Sequence, residues 1–179
     1  MRDVGTVFVQ WFDAALASWS DLPPTLCIFR KTCGDALALK HHGDRYSCDH
    51  FVEPDHFLGH NMMTTMVELV TSPKQRAFGQ AKADTLPAQC RGCAVRFACN
   101  GECQRNRFTS TASGEPGLNS LCAGYLSFFT LIDGPMRLMA QLLRSGRYAD
   151  EIRGVFASAG RNDPCPCGRG RKAKICHGR

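Results

Sequence analysis

The sequence has no long apolar run. Its longest uncharged stretch, Pro116 to Ile132, contains Pro, Gly, Asn and Ser and is too short to cross a bilayer. An export signal is also missing, because Asp3 and Asp13 interrupt the opening MRDVGTVFVQWFD and no uncharged run of suitable length follows. The expected location is therefore cytoplasmic, with no membrane partner, and a disulfide framework is the weaker reading of any cysteines. No internal repeat at a solenoid period is visible. Net positive charge is scarce outside the C-terminus. Of the net charge of +6, five units fall in residues 161–179, where Arg161, Arg169, Arg171, Lys172, Lys174 and Arg179 face only Asp163. A nucleic-acid groove spreads its basic residues over a folded face, so no nucleic-acid partner is expected. Hydrophobic residues at 44% and charged residues at 21% exclude a disordered chain and point to a folded one.

What the sequence has in plenty is cysteine, eleven in 179 residues. Three of them lie in the tail RNDPCPCGRGRKAKICHG, where Cys165, Cys167, Cys176 and His177 are spaced C-x-C-x8-C-H. Three sulfurs and one imidazole form a closed tetrahedral set that suits a structural Zn²⁺. Gly168 and Gly170 allow the tight turn between the two ligand pairs. This tail resembles the SEC-C motif, and the resemblance implies an accessory zinc module for protein contacts rather than an activity.

Periodicity supplies a coarse map. Val4, Val7, Phe8, Trp11, Phe12, Ala15, Leu16 and Trp19 follow a helical rhythm that Pro23 and Pro24 end. So apolar a stripe packs either on the rest of this chain or on a partner upstream. Ala36 to Lys40 and Arg45 to Val52 flank a His-Gly-Asp turn and read as a β-hairpin whose second strand carries Cys48 and Asp49. Residues 60–82 read as helical, with Met62, Met63, Met66, Leu69 and Val70 as core filling. His41 and His42 read as exposed turn residues, and His50 as structural. From Leu86 to Cys122 there is little to build a core, so something other than hydrophobic burial must hold that segment. Leu126 to Leu143 is helical again, with a break and restart expected at Asp133-Gly134-Pro135. A last short helix is expected over Ala149 to Ala159.

Eight cysteines remain: Cys27, Cys33, Cys48, Cys90, Cys93, Cys99, Cys103 and Cys122. Eight is two sets of four, and thiolates in fours hold either Zn²⁺ or an iron–sulfur cluster. Zinc ribbons favour paired C-x2-C knuckles, and the run CRGCAVRFACNGEC contains one, Cys90 with Cys93. The irregular gaps between the others suit a bulkier cubane better. Spacing alone leaves a chain with three zincs open.

The segments CGDALALKHHGDRYSCDHFV, FGQAKADTLPAQCRGCAVRFACNGEC and GEPGLNSLCAGY resemble the C-terminal SPASM domain of the anaerobic sulfatase-maturating enzymes, a radical SAM family. The resemblance spans most of residues 1–145 and keeps all eight cysteine positions. It implies an α+β fold: a small cysteine-rich domain with a β-hairpin and helices around two auxiliary 4Fe–4S clusters, followed by the zinc-binding tail. By position, Cys27, Cys33, Cys48 and Cys103 would hold one cluster and Cys90, Cys93, Cys99 and Cys122 the other. Both would be fully ligated, leaving no iron open to SAM or substrate and fitting them for electron transfer. The family oxidises a Cys or Ser of a sulfatase polypeptide to formylglycine, and its proposed base falls on Asp49, whose pKa a cluster and poor hydration would raise.

The SAM-binding motif C-x3-C-x2-C does not occur, since Cys99 and Cys103 are followed by Asn106 where the third ligand would stand. In the family that motif lies on an N-terminal barrel. The expectation is that SAM and a third 4Fe–4S cluster belong to a missing N-terminal part, possessed by a longer polypeptide or by a separate radical SAM barrel half. The chain alone would then be inactive. The corresponding organisation is residues 1–22 as an amphipathic helix left from the barrel link, 23–125 as the auxiliary-cluster domain, 126–160 as a helical tail and 161–179 as the SEC-C zinc motif. The alternative function is a non-catalytic metal-binding adaptor or regulator of sulfatase maturation. Two departures from the family pattern bear on the cluster environment: Ser120 replaces an aromatic residue, and Glu102-Cys103-Gln104 replaces Gly-Cys-Pro.

Overall fold

The computed structural model describes residues 3–177. In chain order the elements are α1 (Gln10–Trp19), β1 (Ala38–Leu39), β2 (Asp44–Tyr46), β3 (Phe57–His60), α2 (Met66–Thr71), α3 (Pro73–Asp84), α4 (Ala88–Arg91), α5 (Arg96–Cys99), β4 (Thr109–Ser110), β5 (Pro116–Leu118), α6 (Cys122–Arg144), α7 (Ile152–Ser158) and α8 (Ala173–Cys176). Single 3₁₀ turns cover Cys27–Phe29, Pro54–His56, Gln104–Asn106 and Ala149–Glu151. Helices beside two small antiparallel sheets make this an α+β fold. The chain divides into two compact units, Cys27–Cys122 and the described parts of Met1–Leu26 with Ala123–Arg179.

In the Cys27–Cys122 unit, β1 and β2 pair as the expected hairpin, Ala38 opposite Tyr46 and Leu39 opposite Arg45. The structure adds a third strand that periodicity did not reveal: β3 pairs with β2 on its other side, Arg45 opposite Gly59. It also shortens the second strand. β2 stops at Tyr46 because the Ser47 carbonyl leaves the ladder and accepts from Gln75 Nε2 at 2.9 Å. Cys48 and Asp49 therefore sit in a turn beyond the strand, closed by the Phe51 N–H on the Cys48 carbonyl at 3.0 Å. The single helix expected over 60–82 is two helices. Thr65 and Glu68 form a capping box on α2, and Ser72 caps α3 with Pro73 at its first position. Met62 and Met63 precede α2 and are 81% and 83% exposed, so the methionines do not fill the core; Leu69 does.

This unit buries few large apolar side chains, chiefly Phe29, Leu69, Leu86 and Val95, alongside the polar Ser47, Gln75, Lys82, Glu102, Thr111 and Asn119. An interior so polar gains little from the hydrophobic effect and depends on satisfied polar groups or bound metal.

In the other unit α1 is shorter than the apolar rhythm suggested. It begins at Gln10, and Val7, Phe8 and Val9 lie before it, exposed. Its stripe packs on α6: Trp11 stacks on Tyr125 with centroids 5.7 Å apart, Phe12 on Phe128 at 5.8 Å, and Trp19 lies 6.1 Å from Phe129. Phe129 and Trp19 are buried, each gaining roughly 1.5–3 kcal/mol from removal from water. The break expected at Asp133-Gly134-Pro135 does not occur, and α6 runs through Pro135. Proline there removes the N–H that would bond Leu131, the residue four positions earlier. That freed carbonyl accepts from the Arg169 guanidinium of the tail instead. Asp133 accepts the Trp19 indole N–H at 3.0 Å and the Arg137 Nε at 2.8 Å. Asp133-Gly134-Pro135 is thus a notch into which the tail docks. Among the described residues, no helix is long and apolar enough to cross a membrane.

Candidate metal centres

The eight cysteines outside the tail all lie in the Cys27–Cys122 unit. Cys27 opens a 3₁₀ turn, Cys33 and Cys48 sit in loops, and Cys90 and Cys99 lie on α4 and α5. Cys93 bridges those two helices, its N–H on the Cys90 carbonyl at 3.2 Å. Cys122 is the first residue of α6.

Helix α3 organises the first group of thiols. The Cys33 N–H donates to the Gly79 carbonyl at 3.3 Å. Gln75, 1% exposed, donates from Nε2 to the carbonyls of Gly34 (2.8 Å) and Ser47 (2.9 Å), so one amide holds the neighbours of both Cys33 and Cys48. Lys82, also 1% exposed, donates to the carbonyls of Cys27 (2.7 Å) and Ile28 (2.8 Å). Gln104 Nε2 lies 3.4 Å from the Cys33 sulfur, and His50 Nδ1 lies 3.5 Å from that of Cys103. Burial raises Cys33, Cys103 and Cys48, and a neighbouring thiol adds a smaller rise to each: Cys27 to Cys33, Cys33 to Cys103, and Cys103 to Cys48.

A second group forms around α4 and α5. Cys90 is raised by Cys122 and Cys93, and Cys99 by Cys90, Cys122 and Cys93, in each case after the larger effect of burial. Gln89 Nε2 approaches the Cys122 sulfur at 3.9 Å. The Cys122 N–H bonds the Asn119 carbonyl at 3.0 Å, and the Ser120 N–H bonds that of Asn106 at 3.0 Å.

Cys99 and Cys103 are close in sequence yet point to different groups. The three residues between them, Asn100, Gly101 and Glu102, all adopt left-handed backbone (φ 47°, 70° and 55°). Two non-glycine residues there cost roughly 1–2 kcal/mol each. Arg107 holds them: its guanidinium donates to the carbonyls of Gly101 (3.0 Å), Asn100 (2.9 Å) and Glu102 (3.1 Å), and to that of Lys82 (2.7 Å). The buried Glu102 carboxylate is occupied by Asn106 Nδ2 at 2.9 Å and Asn119 Nδ2 at 2.5 Å. Sequence reasoning noted Glu102 and Gln104 as departures but missed Gln75, Lys82 and Arg107. A lysine or glutamine in a polar helix and an arginine in a loop carry no periodic signal of burial.

Burial raises the thiol value of Cys33, Cys48, Cys90, Cys99, Cys103 and Cys122 above the ordinary one. Cys99 is pushed up to about 11, and Cys48 to about 12, where Asp49 accepting from its S–H at 3.1 Å adds to burial. That same bond holds the Asp49 carboxyl below its usual range. The expected rise concerned Asp49 beside a bound cluster; with Cys48 as a thiol, the exposed carboxyl lies below its usual range.

In the tail, Cys165, Cys167, Cys176 and His177 present ligand atoms all within 4.8 Å of one another. His177 Nδ1 lies 3.3 Å from the Cys165 sulfur and 3.2 Å from that of Cys176, and Cys167 and Cys176 are 3.5 Å apart. Burial, helped by the Arg169 charge, lowers the His177 pKa and so favours the neutral, ligating imidazole. Gly168 and Gly170 take φ of 75° and 69° in the turn. Among the described residues, the only other such group is Cys48, Asp49 and His50; no three of the eight remaining thiols approach this closely.

Over 142 residues the chain is 48% identical to a serine-type anaerobic sulfatase-maturating enzyme of Bacteroides thetaiotaomicron, which covers 79% of this chain and 34% of the relative. A serine-type anaerobic sulfatase-maturating enzyme of Klebsiella pneumoniae is 33% identical over 135 residues, 75% of this chain and 32% of its own length. This chain is homologous to part of an anaerobic sulfatase-maturating enzyme. The solved structure "Native anSMEcpe with bound AdoMet and Cp18Cys peptide" superposes with a TM-score of 0.67 at 25% identity, over 79% of this chain and 40% of that one. The SEC-C motif matches residues 161–179. In that region the chain is 57% identical over 30 residues to the protein translocase subunit SecA of Bordetella pertussis, 17% of this chain and 3% of that protein. The chain spans about a third of the length of the sulfatase-maturating relatives it matches.

Proposed function

We propose that this chain is the auxiliary-cluster part of a radical SAM sulfatase-maturating enzyme that converts a sulfatase Cys or Ser to formylglycine. Residues 23–125 form its SPASM domain, with Cys27, Cys33, Cys48 and Cys103 holding one 4Fe–4S cluster and Cys90, Cys93, Cys99 and Cys122 the other. The observation that carries this reading is the contrast between the two kinds of sulfur group. The tail ligands close to within 4.8 Å, as one tetrahedral ion requires, whereas no three of the eight other thiols do. Zn–S bonds of about 2.3 Å would draw four thiolates to roughly 3.8 Å. Wider groups lined by buried cations suit a larger anionic centre. When bound, such fully ligated clusters supply one-electron transfer.

The chain's own residues do the rest. Gln75 and Lys82 keep the Cys27, Cys33 and Cys48 backbones in place, and Arg107 turns Cys99 and Cys103 apart. Asp49, exposed beside Cys48, is the group positioned to take a proton from a substrate hydroxyl or thiol. Once Cys48 is a metal-bound thiolate it has no S–H to donate, and the bond that lowers the Asp49 pKa is lost. Cys165, Cys167, Cys176 and His177 hold a structural Zn²⁺.

Purification without oxygen, with iron and acid-labile sulfide measured, tests the cofactors: brown protein with eight irons per chain is expected by cluster stoichiometry, and colourless protein with three zincs would overturn the reading. Isolated chain given SAM and a sulfatase peptide should yield no 5′-deoxyadenosine. Paired with a radical SAM barrel it should support turnover, and Asp49→Asn should abolish it. Retained turnover in that variant would leave the adaptor role instead.

A further inference from the structure

Two cations lie inside the sulfur-lined unit without a carboxylate. Lys82 is 1% exposed, and its ammonium donates to the Cys27 and Ile28 carbonyls. Arg107 is half-buried and donates to four carbonyls. Among the described residues, neither forms a salt bridge, although eight such pairs occur elsewhere. The nearest buried carboxylate, Glu102, is taken up by Asn106 and Asn119. A buried charge left unpaired costs several kcal/mol, so a fold that retains the buried Lys82, with the half-buried Arg107 beside it, has an anion to balance them. The available anions are the cysteine sulfurs. Lys82 donates to the carbonyl of Cys27, in the first group, whereas Arg107 donates to the carbonyls of Asn100, Gly101 and Glu102, the residues that join Cys99 of the second group to Cys103 of the first.

We propose that Lys82 and Arg107 are the built-in counter-ions of the two cysteine groups, Lys82 serving the Cys27/Cys33/Cys48/Cys103 group and Arg107 shared by both, and that they set the two clusters' reduction potentials apart. This rests on the cluster reading above. A cluster with four thiolates carries about two negative charges when oxidised and one more when reduced. A nearby fixed cation therefore favours the reduced state and raises the potential. Because Lys82 stands at one group and Arg107 between the two, the clusters accept electrons unequally, which gives the pair a direction for electron flow.

The test is a mediated dithionite titration of the full-length, anaerobically reconstituted chain, followed by EPR with iron and sulfide counted in every sample. Cys48→Ala and Cys93→Ala assign each signal to its group. Lys82→Met should keep its iron and lower one potential by at least tenfold in the reduction equilibrium, about 59 mV for one electron, leaving the other in place. Lys82→Arg should restore it. Arg107→Met should lower both, and Arg107→Lys should recover most of that loss. Unmoved potentials at full iron content would overturn the inference, as would an equal shift of both clusters in Lys82→Met. Loss of iron in Lys82→Met would also overturn it, by making the lysine a strut. Iron-free wild-type protein would overturn the cluster reading itself, so the two failures are distinguishable.

Discussion

A β-carbon on Gly79 would stand 2.0 Å from the carbonyl oxygen of Cys33. Glycine in a helix is normally a cost of about 1 kcal/mol against alanine, and α3 accepts it because the Cys33 loop passes directly over the helix at that point. Gly79→Ala therefore reverses the usual sign. It should destabilise the protein by roughly 1–3 kcal/mol, the range for overpacking, and lower iron content by displacing one ligand. Gly154→Ala, with nothing within 4 Å of the added carbon, should be neutral or mildly stabilising. Thermal unfolding and iron analysis of the two variants check this.

The same arrangement recurs in the other unit. A β-carbon on Gly134 of α6 would stand 1.8 Å from the Cys167 carbonyl, and Arg169 bonds the neighbouring Leu131 carbonyl. Gly134→Ala should expel the tail from the notch and speed zinc release to a chelator severalfold. Gly124→Ala in the same helix, where the space is open, should leave the release rate unchanged.

Cys99 and Cys103 are separated by three left-handed residues and face different partners. Cys103→Ala should remove about half of the iron, and Cys99→Ala the other half, each leaving a different EPR signal. A loss of all iron in both variants would show one shared centre.

Raised thiol values give the metal-free chain a pH dependence. Cys48 and Cys99 titrate near 12 and 11 in the fold, against about 8.5 in an unfolded chain. A raised folded pKa contributes stability that is complete below the unfolded value and disappears as pH climbs through the folded one. Metal-stripped protein should therefore lose stability progressively from about pH 8.5 upward, while metal-loaded protein, whose sulfurs carry no proton, should not. Urea unfolding across that range, with and without metal, measures it.

Much of the metal chemistry was legible in the residues. The tail residues C-x-C-x8-C-H meet at one point, and a hairpin forms around His41-His42-Gly43. Other expectations failed for identifiable reasons. Met62, Met63 and Met66 keep a helical spacing, but a capped start at Thr65 leaves the first two outside the helix. Asp133-Gly134-Pro135 reads as a helix break by local propensity, and local propensity was overruled by the tail that occupies it. β3 has too few alternating residues to be read, and exists because β2 offers it an edge.

The sequence by itself determined the inventory: twelve side chains able to ligate a metal, their spacing in the tail, and the shortage of apolar residues between Leu86 and Cys122. Only the tertiary structure decided which thiols face one another, where the buried Lys82 and the half-buried Arg107 stand, and why Gly79 and Gly134 are glycines. Those are contacts between residues tens of positions apart. Ligand chemistry is a property of a side chain and travels with the letter, whereas proximity arises only when helices and loops close on each other, and the letters along one segment do not encode what will lie against it.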